Sequence, residues 1–168
     1  MRGSALDPEV VRARLRSEGL DAPEDLIEAY SVADGVKSDA GDVLEDIWVF
    51  PGYYWMSLDE AAASHRAFKD DPRWDRSWLP VFASGGGDFY AVSCSGVDRG
   101  GVVGYLLGEE EQFIEFPDLG TMFEVLERSF AEGAFYNGPK GFEADYGAMR
   151  EVAHRIAPGF SEREAHRG

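Results

Sequence analysis

From Leu79 to Cys94 the chain alternates between two faces. Val81 and Ala83 stand against Pro80 and Phe82, and beyond Gly85-Gly86-Gly87-Asp88 the residues Tyr90, Val92 and Cys94 stand against Phe89, Ala91 and Ser93. A period of two belongs to a strand, and glycine reverses the chain through positive φ where a Cβ would clash. The segment therefore predicts a β-hairpin with Gly85, Gly86 and Gly87 as its structural turn. Further strands are predicted at Ile47 to Phe50, Val102 to Leu107 and Gln112 to Phe116. The turns Gly96 to Gly101 and Gly108 to Glu111 are too short for the crossover that parallel pairing requires, so the sheet reads as an antiparallel meander.

Elsewhere the apolar period is helical. Asp7 precedes Pro8, with Val11 and Leu15 four apart, and three pairs have the spacing of a capping box: Asp21 with Glu24, Ser57 with Glu60, Thr121 with Glu124. The stripes that follow are Leu26, Ile27 and Tyr30; Leu58, Ala61, Ala62, His65 and Phe68; and Met122, Phe123, Leu126 and Phe130. By default these are core faces. A fifth amphipathic segment, about Ala144 to Ile156, carries Tyr146, Met149, Val152, Ala153 and Ile156 at helical spacing, ends at Pro158-Gly159 and folds back over the sheet. Pro139 to Gly141 reads as a loop and the C-terminal SEREAHRG as a frayed tail. Helices before, between and after the strands predict a single α+β domain: a twisted antiparallel sheet of about five strands covered by helices on one side.

Length and composition agree with one well-buried core, at 168 residues and 44% hydrophobic content. No apolar run approaches the roughly 20 residues that cross a bilayer, and the opening MRGSALDPEV lacks the apolar stretch of a signal peptide, so a cytoplasmic protein is expected. A lone cysteine, Cys94, in an apolar strand predicts a buried, inert thiol.

Charge narrows the partners. With 32 acidic against 16 basic residues the formal net charge is −16, which repels nucleic acid and anionic membranes and attracts basic proteins. Solubility, or the composition of a GC-rich genome, in which Arg outweighs Lys as it does here, is the competing account of that acidity.

Catalytic signatures are missing. His65, His154 and His166 share no metal-ligand spacing, there is no GxSxG elbow, and GGGD lacks both GxGxxG spacing and a P-loop Lys. Carboxylate pairs are plentiful, but nothing in the sequence sets two across a cleft as glycoside hydrolysis needs. Neither a metal nor a cofactor is called for, and no enzyme is expected.

The blocks FPGYYWMSLDEA (Phe50 to Ala61), SWLPVFASGGGDFYAVS (Ser77 to Ser93) and GVVGYLL before an acidic turn resemble the SUKH superfamily, which includes fungal cell-wall-synthesis regulators and bacterial immunity proteins. YSVADG, Tyr30 to Gly35, is similar to the family's opening helix and turn, and the likeness spans about Leu20 to Gly133. It implies a non-enzymatic protein-binding fold, most simply an immunity protein that occludes a basic toxin, for instance a nuclease, as a monomer or weak homodimer. A regulatory scaffold and a small-molecule or glycan sensor are the alternatives.

Partner-binding residues are expected where charge and aromatics meet solvent. Glu109, Glu110 and Glu111, with Glu115 and Asp118 beyond, form one acidic candidate, and Asp39, Asp42, Glu45 and Asp46 a second. The aromatic candidates are Tyr54 and Trp55 after the Pro51-Gly52 turn, and Tyr90 and Tyr105, expected to mark one face of the sheet. Asp88 is either a contact residue or the cap of the glycine turn.

Overall fold

Asp7 and Pro8 begin the first helix, α1 (Pro8–Ser17), as the sequence requires: the Asp7 carboxylate accepts from the Glu9 backbone N–H at 2.8 Å, and Val11 and Leu15 are fully buried. The computed structural model describes residues 3–161. After α1 come α2 (Glu24–Val32), a 3-10 turn (Leu44–Ile47), β1 (Tyr54–Trp55), α3 (Leu58–Phe68), β2 (Trp78–Ala83), β3 (Phe89–Ser93), β4 (Val102–Tyr105) and β5 (Phe113–Phe116). The chain then adds α4 (Leu119–Ala131), β6 (Phe135–Gly138), β7 (Gly141–Ala144), α5 (Tyr146–Ile156) and a short α6 (Pro158–Ser161). His166 and the tail residues 162–168 lie outside the described residues, as do residues 1–2.

The architecture is the α+β class read from the sequence. Strands β1 to β5 pair antiparallel in chain order, and β6 and β7 form a separate hairpin. One correction concerns coverage: the sheet is buried on both faces, not one. Every described position of β4 is buried, as is every position of β2 after Trp78. Directly paired residues share a face. Thus Ala83, Phe89 and Tyr105 form one row, packed against Phe68 of α3 and Trp74, with Phe89 5.1 Å from Phe68 and Tyr105 5.0 Å from Trp74 between ring centroids. Trp55, Phe82 and Tyr90 form the opposite row, where Phe82 meets Phe123 of α4 and Trp55 meets Tyr30 of α2 at 4.9 Å. Tyr90 and Tyr105 therefore lie on opposite faces, which overturns the expectation that they mark one.

Three element assignments change. The apolar run Ile47 to Phe50 is not a strand: Asp46 accepts from the Val43 N–H at 3.0 Å and winds the preceding residues into the 3-10 turn, and the first strand starts only at Tyr54. Asp21 does not cap α2, whose N-cap is Pro23 with no side-chain bond; Asp21 instead faces Arg99. Helix α4 starts two residues before Thr121 and is capped by Asp118, which accepts from the Thr121 N–H at 2.6 Å. Ser57 and Glu60 do form the capping box of α3, with the Ser57 N–H donating to Glu60 Oε2 at 2.8 Å.

Candidate functional site

Helices α2 and α4 each bury one face in the core and turn an adjacent face to a common groove. On α2, Leu26, Ile27 and Tyr30 point inward, while Asp25, Glu28, Ala29 and Val32, spaced i, i+3, i+4 and i+7, form one wall. On α4, Leu119, Met122, Val125, Leu126 and Ser129 are buried, and Gly120, Phe123, Glu127 and Phe130 form the other wall. Trp55 and Phe82 supply the floor, and Val36, Val49 and Phe50 close one end. The volume is about 640 Å³. Phe130 packs against the hairpin, its ring centroid 4.9 Å from that of Phe135 and 5.9 Å from that of Phe142.

This surface combines two properties. Val32 is 69% exposed, Phe130 46%, Phe123 40% and Val49 36%, so large apolar side chains face solvent together, as they do at interaction sites. Around them Glu28 and Glu127 carry charge from opposite walls and, among the described residues, form no ion pair, and no described basic residue lines the groove. Asp25 is occupied structurally: its Oδ1 accepts from the Leu26 N–H and its Oδ2 from the Leu119 N–H, both at 2.9 Å, which ties α2 to the start of α4.

The residues singled out from sequence fall into separate places. Trp55 is buried but reaches the groove as part of its floor, with its indole N–H donating to the Ala33 carbonyl at 3.2 Å. Tyr54 is half-buried. Tyr105 is fully buried, so it is a core residue and not an anchor offered to a partner. Its hydroxyl donates to Asp71, and Arg73 lies over its ring. Hydrogen bonds from the Arg73 side chain and backbone, with a smaller contribution from Tyr105, hold the Asp71 carboxyl down at about 2.

Asp88 does not cap the glycine turn. Ser84 does, accepting from the Gly86 and Asp88 N–H groups at 3.1 and 3.3 Å, while Asp88 Oδ1 accepts from the Leu107 N–H at 2.9 Å and so ties that turn to the end of β4. Beside it, Tyr90 and Glu115 line a small cleft with Phe116, Tyr146, Met149 and Arg150. Tyr53 packs on Tyr90 at 4.9 Å, and burial, then Asp88 and Glu115, push its hydroxyl far above the ordinary tyrosine range.

Glu109, Glu110 and Glu111 are exposed at the β4–β5 turn, which Gln112 organises by donating to the Leu106 and Glu109 carbonyls at 3.0 and 2.9 Å. In the second acidic run Asp42 and Asp46 accept from local backbone N–H groups, and Glu45 stands exposed beside Gly141 of the hairpin.

The reactive-group inventory is spare. Among the described residues no three of His, Cys, Asp or Glu gather as a metal site requires. Burial pushes the Cys94 thiol up to about 12, which leaves it protonated at neutral pH. His65 Nδ1 donates to the Trp78 carbonyl at 2.9 Å and is buried, a structural role. What the arrangement can do is take up apolar side chains and pair with cations. No described helix is long and apolar enough to cross a membrane.

The sheet, its helical covers and the acid-rimmed groove together define an α+β domain. Residues 7–125 match the SMI1 / KNR4 family (SUKH-1), and the chain belongs to that family. Members include toxin immunity proteins and are generally non-enzymatic. No curated protein matches the chain. The matched span starts earlier than the resemblance read from the sequence, taking in α1, and stops inside α4, so Glu127, Phe130 and the hairpin behind it lie beyond it.

The groove escaped the sequence reading because its walls come from segments about 90 residues apart, Asp25 bonding across to Leu119. One signal was present. Leu119, Met122, Phe123, Val125, Leu126 and Phe130 make an apolar stripe on α4 wider than a core-facing stripe requires, and the surplus, Phe123 and Phe130, is the groove wall.

Proposed function

We propose that this chain is a non-enzymatic protein-binding domain of the cytoplasm, an immunity protein that neutralises a cognate basic toxin by stoichiometric binding. The observation that carries the reading is the apolar groove whose walls both carry carboxylates with no ion-pair partner among the described residues, in a chain of net charge −16 whose family includes immunity proteins. Carboxylates held near one another repel, and a cationic partner relieves that repulsion, so complex formation gains electrostatically while the apolar surface supplies the short-range attraction.

Local neutralisation supports the same view. Arg12, Arg14, Arg66, Arg73, Arg76, Arg99 and Arg155 are each engaged by a carboxylate of this chain, and the acidic surplus remains for a partner. Glu109, Glu110 and Glu111 act in this reading as a steering patch that raises the rate of encounter.

Affinity capture by the full chain from its native cell, followed by mass spectrometry and light scattering, tests the proposal. One basic protein in one-to-one complex with a monomer or weak homodimer is the expected result. Capture of a multi-enzyme assembly would instead favour a regulatory scaffold, and recovery of acidic partners alone would refute the reading.

A further inference from the structure

We infer that the groove between α2 and α4 seats an amphipathic helix of the partner, with large apolar anchors on one side and Lys or Arg flanking them. This deepens the binding function proposed above and rests on it.

Chemistry and shape point the same way. Val32, Phe123 and Phe130 offer apolar surface, whereas Glu28 and Glu127 stand on opposite walls without ion-pair partners among the described residues, so a ligand must be apolar at its centre and cationic at its margins. From Gly120 to Phe130 the α4 wall rises about 15 Å, three helical turns, which suits anchors at i, i+3 or i+4, and i+7. The walls are helices whose main-chain groups bond internally, and they offer no open ladder to an extended peptide. A guest there must satisfy its own backbone, which a helix does.

The test uses the full chain and a labelled 15-residue helical peptide bearing Leu, Phe and Leu at i, i+3 and i+7 among Lys and Arg, beside a control of equal charge with Ser at the three anchors. Amide shifts confined to α2, α4 and the Trp55 region, with the control binding at least about tenfold more weakly, are the expected results. Val32→Glu separates the contributions, because it makes an exposed site more acidic while placing a charge on the apolar wall. The inference requires this variant to lose affinity by about fivefold or more, whereas adhesion by charge alone would strengthen it. Glu28→Gln with Glu127→Gln weakens binding and flattens its salt dependence.

Equal binding of both peptides, shifts elsewhere on the surface, or tighter binding by Val32→Glu overturns the inference. The same variants in a captured one-to-one complex keep the two ideas apart. Unchanged affinity there removes the groove and leaves the immunity reading, while failure to capture any basic partner removes that reading and leaves the groove to the peptide result.

Discussion

Asp71 is the residue whose charge the fold uses most visibly. Arg73 bonds it twice through its side chain, at 3.0 and 2.7 Å, and Tyr105 adds a weaker bond, so the carboxyl titrates near 2 against an ordinary value of about 3.9. A depressed carboxyl stabilises the native state above its unfolded value and loses that contribution as pH falls towards its folded one. Asp71→Asn is therefore expected to lower the thermal midpoint at neutral pH, with the gap from wild type closing between about pH 4 and about pH 2. Calorimetry across that range checks it, and a gap that persists unchanged at pH 2 would contradict the assignment.

The three glycines make a second residue-scale case. Gly85 and Gly87 have φ of +79° and +104°, and a Cβ would come within 2.6 Å of Leu44 and 2.8 Å of Leu107 respectively. Gly86 has neither positive φ nor a close neighbour, its nearest atom being Ser84 Oγ at 3.5 Å. Gly87→Ala should cost about 1–2 kcal/mol and Gly86→Ala about 0.5 kcal/mol or less, measured by urea unfolding. The sequence showed that the turn needs glycine, but it could not show that only two of the three positions do. That difference depends on the positive φ of Gly85 and Gly87 and on Leu44 and Leu107, which reach the turn from outside it.

Elements were legible where a short-range signal dictated them. Ser57 and Glu60 satisfy each other's backbone groups at the start of α3, and Ser57→Ala is expected to destabilise the protein by about 1 kcal/mol, read as a shift of the denaturant midpoint at unchanged slope. An equal loss in the Glu60→Gln variant, which keeps the hydrogen-bonding geometry, would argue for charge and not capping. Illegible elements were those whose pattern is too short. Strands β6 and β7 have four residues each, with Phe135 and Phe142 their packed aromatics, so no alternation builds up, and only the flanking Pro139 to Gly141 turn showed. The run from Ile47 to Phe50 failed in the opposite sense, because its apolar content suits a strand while Asp46 holds the chain in a tight turn just before it.

At the scale of the molecule, α+β class and meander order followed from turn lengths, since short connections admit only antiparallel neighbours. Burial of both sheet faces ran against the one-sided cover that the alternation at Leu79 to Ala83 suggests, because the residues on both faces of that strand are apolar and both are buried. The groove was not, because tertiary packing decides which apolar residues of α4 stay uncovered.

Net charge also acts at this scale. Converting Glu109, Glu110 and Glu111 to Lys should slow association with a basic partner about tenfold at low salt while leaving the thermal midpoint nearly unchanged, because all three are exposed and their side chains bond to none of the described residues. Stopped-flow measurement gives the rate, and an unaltered rate at low salt would remove this turn as the steering patch.

The most direct measurement is calorimetric titration of the full chain with its captured basic partner at several salt concentrations, with the mixture assayed for product. The account predicts one site per chain, affinity that weakens steadily as ionic strength rises, and both proteins recovered intact. Chemical conversion of the partner, or binding that is indifferent to salt, would contradict it.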